Sequence, residues 1–111
     1  MTLEQLRIFI AVAEREHLTQ AAEALNLTPS AVSSAIRVLE ERYGIALFHR
    51  TGRSIELTET GAAFLPEAKA TLERAAGADL FLTEIGSLKR GTLTLAASQT
   101  VAGSWLPPRL M

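Results

Sequence analysis

The chain has 111 residues, enough for one ordinary domain or for a small domain with an extension. Hydrophobic residues make up 48% of the sequence, so a buried core is possible and a disordered chain is excluded. There is no cysteine, which excludes disulfides and thiolate chemistry. The formal net charge is −1, whereas nucleic-acid-binding domains often carry a positive excess, so such a function must depend on where the charges lie.

The amino-terminal segment MTLEQLRIF contains the acidic Glu4 and no apolar run. We therefore expect no signal peptide and no membrane span, and a cytoplasmic protein. His17 and His49 are far apart and have no carboxylate cluster beside them, so no metal site and no cofactor are expected. An enzyme would need a nucleophile with a base, or paired carboxylates, and the sequence offers no catalytic residue.

The first two helices are short and closely spaced. Apolar residues from Leu3 to Ala13 recur at helical spacing and predict a first helix that ends near His17. Thr19 is then the expected N-cap of a second helix over residues 20–25. Asn26 suits the corner that follows, because asparagine tolerates left-handed backbone angles.

A third helix is predicted to begin at Thr28 and Pro29, a capping residue followed by proline at the first helical position. Gly44 is its expected end. One face carries the residues expected in the core, namely Val32, Ile36, Leu39 and Tyr43. The opposite face carries small hydroxyl residues and Arg37, and two such helices joined by a short polar turn fit a helix-turn-helix.

A basic hairpin follows the third helix. Residues 45–48 and 54–57 are short and β-prone, and Thr51-Gly52 between them supplies turn chemistry, so a two-stranded wing is predicted. Residues 28–39 contain no acid, and residues 49–54 contain two arginines and no acid. These two windows are where a phosphate backbone could approach.

Thr58 is expected to cap a long helix from Glu59 to about Leu88, with Pro66 inside it. A single helix cannot bury an apolar stripe of this length by itself, so self-association is predicted. The residues expected at the dimer interface are Phe64, Ala68, Leu72, Ala75, Leu82 and Ile85. Residues 86–91 are predicted to form a hinge, and residues 92–96 alternate in the manner of a strand.

Many spaced residues from the second helix to the start of the long helix resemble the amino-terminal DNA-binding region of LysR-type transcriptional regulators. The matching positions are Ala21, Ala22, Leu25, 28–33, Ile36, Leu39, Glu40, Gly44, Leu47, Phe48, Arg50, Arg53, 57–59 and Gly61. The likeness covers about residues 1–90, and the tail resembles the first segment of the family's effector-binding domain. Many members carry a long polar pair where this chain has Ser34-Ala35.

The resemblance implies a mainly α fold, in which three helices and a two-stranded wing form a winged helix-turn-helix. The implied parts are a DNA-binding domain over residues 1–58, a linker helix over 59–89 and a truncated effector domain over 90–111. The implied partners are double-stranded promoter DNA and a second copy in a homodimer or tetramer. A small-molecule effector would bind only with the missing carboxyl-terminal domain.

Residues of the second helix, the third helix and the wing are the expected DNA contacts. They are Gln20, Thr28, Pro29, Ser30, Ser33, Ser34, Arg37, Arg50 and Arg53. Simpler roles stay open: Thr28 as a cap alone, the serines as a solvated face, Arg37 in an ion pair with Glu41, and both wing arginines in ion pairs with Glu56 or Glu59. A winged-helix module that binds protein is the alternative class, favoured by the acidic balance.

Overall fold

The computed structural model describes residues 1–52 and 54–91. Residues 1–73 form one compact unit, and α4 from Arg74 onward belongs to a second. Four helices and one antiparallel hairpin confirm the mainly α, winged helix-turn-helix prediction. The elements are α1 (Leu3–Arg15), α2 (Leu18–Leu25), α3 (Pro29–Tyr43), β1 (Phe48–Thr51), β2 (Ser54–Leu57) and α4 (Glu59–Gly91).

The corner between α2 and α3 is set by local chemistry, as predicted. Asn26 has φ 59° and ψ 41°, and its N–H donates to the carbonyls of Ala22 and Glu23. The N–H of Leu27 donates to the same Ala22 carbonyl at 2.9 Å, so two carbonyls in the last turn of α2 are satisfied. Thr28 then caps α3 through its hydroxyl, which accepts from the N–H of Ala31 at 3.1 Å.

The start of α2 differs from the prediction that Thr19 would be its N-cap. His17 is the N-cap instead, and its Nδ1 accepts from the N–H of Gln20 at 3.1 Å. The helix therefore begins at Leu18. A neutral imidazole has one acceptor nitrogen, so it can replace a capping hydroxyl when its own backbone is extended, as that of His17 is.

The core of the first unit forms where α1, α2, α3 and the hairpin meet. Ala21 and Ala22 are fully buried, and such small side chains let the backbone of α2 approach its neighbours closely. The largest fully buried side chains come from α1, from α3 and from the segment before β1, namely Phe9, Leu6, Ile36, Leu47, Val12 and Val32. Burying each contributes about 1.5–3 kcal/mol before the cost of ordering the chain.

Tyr43 was predicted to lie in the core and is 50% exposed. It is the last residue of α3, where the guanidinium of Arg42 lies 5.4 Å from its ring centroid. The buried stripe of α3 ends one turn earlier, at Leu39. The prediction failed because helical spacing identifies a face but not the level at which the core stops.

The first strand of the wing begins later than predicted. Residues 45–47 are not a strand, and β1 pairs with β2 only from Phe48, opposite Leu57, to Thr51, opposite Ser54. The N–H of Leu47 donates to the Glu40 carboxylate at 2.7 Å instead of to a strand partner. Gly52 in the turn has φ 60°, a left-handed angle that glycine adopts at little cost.

The long helix α4 begins at the predicted cap and runs through the predicted hinge. Thr58 Oγ1 accepts from the N–H of Gly61 at 3.0 Å and donates to the carbonyl of Ala46 at 2.7 Å. Residues 86–91 are helical, so the hinge prediction was wrong. An interior glycine costs a helix only about 1 kcal/mol relative to alanine. A single residue such as Gly86 is therefore not enough to end the helix. The strand predicted over residues 92–96 lies outside the described residues.

The first part of the predicted dimer stripe faces the chain's own core. Ala68 is 0% exposed, and Phe64 and Leu72 are partly buried against the same core. Ala68 therefore cannot contact a partner, and this correction has a simple cause: periodicity marks an apolar face without saying what covers it. Of the other predicted positions, Ala75 and Ile85 are half-buried and Leu82 is exposed.

The glycine at position 61 is required by close packing. A Cβ built there would overlap the carbonyl oxygen of Leu47 and lie 2.8 Å from Leu57 Cδ2. We expect Gly61→Ala to lower the free energy of unfolding by about 1–3 kcal/mol in urea titrations. Gly77→Ala is the control, because nothing lies within 4 Å of a Cβ at that position, and it should cause no loss. Equal stability of the two variants would contradict this tight contact.

Candidate nucleic-acid interface

The orientation of the exposed face of α3 is determined by the opposite face of the helix, which is buried. Val32, Ile36 and Leu39 lie in the core, which turns the residues between them outward. The outer face, as we call it, consists of exposed Ser30, Ser34 and Arg37 with half-buried Ser33. It is rich in hydrogen-bonding groups, and residues 28–39 contain no acid.

The amino-terminal turn of α3 adds an anion-attracting end to this face. A helix leaves the N–H groups of its first turn without partners in its own backbone, and its dipole favours negative charge there. Thr28 satisfies the N–H of Ala31, and Pro29 has no N–H to satisfy. Both residues are exposed, as is Ser30. Thr28 therefore caps the helix. Because these residues are exposed, the amino-terminal end of α3 stays accessible to a phosphate.

One side-chain contact joins the wing to the outer face. Arg50 on β1 donates from Nη2 to the Ser33 hydroxyl oxygen on α3 at 2.8 Å. The two residues are 17 positions apart in the chain. The structure therefore brings together two residues that were predicted separately as DNA contacts, and it joins them directly to each other.

Glu40 holds the segment that leads into the wing. Its Oε2 accepts from the N–H of Leu47 at 2.7 Å and from the N–H of Phe48 at 3.2 Å. The carboxylate is partly buried, where hydrogen bonds to an ion are stronger than at the surface. Glu40 lies on α3, so the start of β1 is tied to the helix that carries the outer face.

Among the described residues, the ion pairs that would have given Arg37 and Arg50 simpler roles are not formed. Salt bridges in the described part of the chain join Arg7 to Glu4 and Lys69 to Glu14. Neither Arg37 nor Arg50 is paired with an acid there. Their charges are thus not neutralised by a neighbouring carboxylate of the described chain.

The remaining predicted contacts are placed less fully. Gln20 is exposed in the first turn of α2, with its backbone N–H bonded to His17. Arg53 lies outside the described residues, so its predicted contact with DNA stays a prediction. Among the residues described, no helix is long and apolar enough to cross a membrane, and no group of three or more histidine or acidic side chains could hold a metal ion.

Sequence reasoning missed two contacts that shape the site, the Glu40 carboxylate bonds and the Arg50–Ser33 bond. A signal for the first was present. Glu40 stands beside buried Leu39, on the side of α3 that an apolar segment must cross to reach the wing. An acid at the margin of a core usually has backbone donors to bind. No comparable signal exists for the second contact, which depends on how the wing packs.

The comparisons with known proteins agree with this geometry. A family model described as "Bacterial regulatory helix-turn-helix protein, lysR family" matches residues 3–62. A probable RuBisCO transcriptional regulator of Thalassiosira pseudonana is 42% identical over 110 residues, which cover 99% of this chain and 36% of that protein. The RuBisCO operon transcriptional regulator of Allochromatium vinosum is 37% identical over 111 residues, again covering 36% of its length. The chain thus spans little more than a third of these curated relatives.

Solved structures of DNA-binding domains have the same fold. The CbnR DNA-binding domain in complex with DNA matches with a TM-score of 0.73 and 35% identity, over 78% of this chain and 99% of that one. The BenM DNA-binding domain bound to catB site 1 DNA matches with a TM-score of 0.75 and 33% identity, over 78% and 98%.

The contribution of Glu40 to the site can be measured. Glu40→Ala leaves two N–H groups without their acceptor, so we expect the free energy of unfolding to fall by about 1–3 kcal/mol in urea titrations. Glu40→Gln keeps one acceptor oxygen and should lose less. The amides of Leu47 and Phe48 should exchange hydrogen faster in both variants.

The control is Glu41→Ala, at an exposed neighbouring position without such bonds, which should change the free energy by less than about 0.5 kcal/mol. If Glu40→Ala and Glu41→Ala were equally stable, the carboxylate would not hold the wing.

Proposed function

Because the chain belongs to the LysR family of bacterial regulatory helix-turn-helix proteins, we propose that it binds duplex DNA as the DNA-binding part of a transcription regulator. The family is one of regulators and not of enzymes. The observation that carries the proposal is the outer face of α3, free of acids and flanked by the wing arginine Arg50.

The size and polarity of the outer face fit the major groove of DNA. Serine side chains keep the helix slim enough to enter the groove, and hydroxyls can donate to phosphates or to base edges. Arg37 supplies charge along the helix, and the start of α3 at Thr28 and Pro29 supplies backbone N–H groups. CbnR and BenM, whose domains share this fold, were solved on DNA, which supports the same partner here.

The net charge of −1 favours one competing function, a winged-helix module that binds protein. Acidic composition opposes non-specific attraction to DNA. The distribution of charge answers this objection, because residues 28–39 and residues 49–54 contain no acid. DNA therefore remains the better-supported partner.

We also propose that the whole protein acts as a homodimer or a tetramer in the cytoplasm, under control of a small-molecule effector bound by a carboxyl-terminal domain. The exposed apolar side chains of α4 support self-association: Leu80 and Leu82 are 54% and 68% exposed. The effector proposal rests on the family resemblance and on the share of the relatives' length that lies beyond this chain.

The DNA proposal predicts a salt-dependent affinity. Binding to mixed duplex DNA should weaken as salt rises, because cationic side chains displace counterions from phosphates. Arg37→Ala should weaken binding to all sequences and lower the slope of log K against log salt by about 1. Fluorescence anisotropy at several salt concentrations measures both quantities.

The matched control is Arg7→Ala on α1, an exposed arginine already paired with Glu4 at 2.9 Å. It should leave the slope unchanged. If the unaltered, folded protein failed to bind any duplex at low salt, the DNA proposal would be wrong and the protein-binding module would take its place.

The self-association proposal predicts a specific effect of charge on α4. Leu82→Lys places an ammonium where we expect an apolar contact, and losing about 1.5–3 kcal/mol of burial should weaken the dimer roughly ten-fold or more. Ser87→Lys adds the same charge at an exposed polar position of the helix and should change little. Sedimentation equilibrium gives both dissociation constants, and equal values would show that Leu82 is not in the interface.

A further inference from the structure

The hydrogen bond between Arg50 and Ser33 has a fixed direction. A guanidinium carries only donors, so the hydroxyl oxygen of Ser33 must accept from Arg50 Nη2 across the 2.8 Å between them. A hydroxyl has a single proton, and that proton turns away from a positively charged donor. The contact therefore determines where the Ser33 proton can point.

The proton of Ser33 is also not consumed by its own helix. Hydroxyls inside helices often donate to the carbonyl four residues earlier. Thr71 and Thr83 on α4 do so, at 2.8 Å and 2.9 Å. The Ser33 hydroxyl makes no such bond among the residues that the structure describes, where its one hydrogen bond is the one accepted from Arg50. Its proton is left for an acceptor outside the chain.

We propose that Arg50 is a positioning residue, which makes Ser33 a dedicated hydrogen-bond donor to an acceptor atom of duplex DNA. The inference rests on the proposed function, since it takes DNA as the partner. It assigns Arg50 a role other than the direct DNA contact that its charge first indicates. The guanidinium also polarises the hydroxyl, which strengthens the bond that Ser33 donates.

The consequence is a preference in recognition. A freely rotating serine hydroxyl can donate or accept, and so discriminates poorly between base edges. With its oxygen facing Arg50, Ser33 favours an acceptor such as a purine N7 or a phosphate oxygen. It disfavours a donor such as the cytosine amino group. Arg50 thereby affects specificity without touching the DNA.

A double-mutant cycle tests the coupling. The unaltered protein first selects a duplex from a randomised pool, and the dissociation constant for that duplex is then measured for Ser33→Ala, Arg50→Ala and the double variant. Each single variant should bind roughly ten-fold more weakly. The double variant should bind no more weakly than Ser33→Ala alone, because Arg50 acts through the hydroxyl.

The matched control cycle pairs Ser33→Ala with Arg37→Ala. The Arg37 side chain is exposed on the same helix and makes no hydrogen bond to the Ser33 hydroxyl among the described residues, so the two fold-changes should multiply. If the fold-changes of Ser33→Ala and Arg50→Ala also multiplied, the positioning role would be overturned. Arg50→Met, which keeps an extended side chain but has no hydrogen-bond donor, replaces Arg50→Ala if circular dichroism shows that variant unfolded.

Salt dependence separates positioning from direct contact. Arg50→Ala should leave the slope of log K against log salt unchanged, whereas loss of a direct phosphate contact would lower it by about 1. A fall of that size would overturn the proposal.

Modified duplexes then identify the acceptor. Base analogues that lack one major-groove acceptor, such as 7-deazapurines, and single methylphosphonates are substituted along the selected duplex. One substitution should weaken the unaltered protein and leave Ser33→Ala unaffected. A base analogue would identify a base edge and a methylphosphonate a phosphate, and either supports donation by Ser33.

If no substitution behaved in this way, Ser33 would not be a donor to DNA. A protein that failed to bind any duplex at low salt would instead disprove the DNA-binding function itself, so the two failures are distinguishable.

Discussion

The burial of Phe9 is the interaction on which the first unit depends. Its ring is fully buried, 5.4 Å from the ring of Phe48 and 5.0 Å from that of Phe64, with tilted geometry in both pairs. Each aromatic pair adds about 0.5–1.5 kcal/mol to the apolar burial. Because the three rings belong to α1, β1 and α4, one cluster joins the helical body, the wing and the start of the long helix. Truncating this ring would loosen all three at once.

Polar contacts refine what the aromatic cluster brings together. Apolar packing brings the wing near α3, but it is not directional and leaves the exact placement of the hairpin undetermined. The Glu40 carboxylate fixes the approach to β1 through two backbone N–H groups, and Arg50 joins β1 to Ser33. Both bonds begin or end on α3. The helix with the outer face is therefore also the element to which the wing is aligned.

The elements that were predictable from sequence are those determined within a few residues of chain. The turn at Asn26, the cap at Thr28 and the stop at Gly44 all depend on bonds or backbone angles within one helical turn. The choice of His17 over Thr19 as a cap was not predictable, because both side chains carry a suitable acceptor. The local rules give no ranking between them.

The rest of the candidate site depends on tertiary placement, which residue patterns do not contain. Ser33 and Arg50 could each be identified as polar and exposed, but their contact requires the packed wing. The sequence identifies the apolar positions of α4 but not what covers them, and this changes along the helix. Ala68 lies in the core of its own chain, and Leu82 is open.

The burial of Ala68 has a mechanical consequence. Residues 59–73 of α4 form part of the same close-packed body as α1 and α3, and close-packed interiors transmit strain instead of absorbing it. A torque applied to this stretch of helix therefore rotates α1, α2 and α3 with it as one body, because residues 59–73 share their core. Any signal that rotates the start of α4 reaches α3 as a change of orientation, without melting a joint.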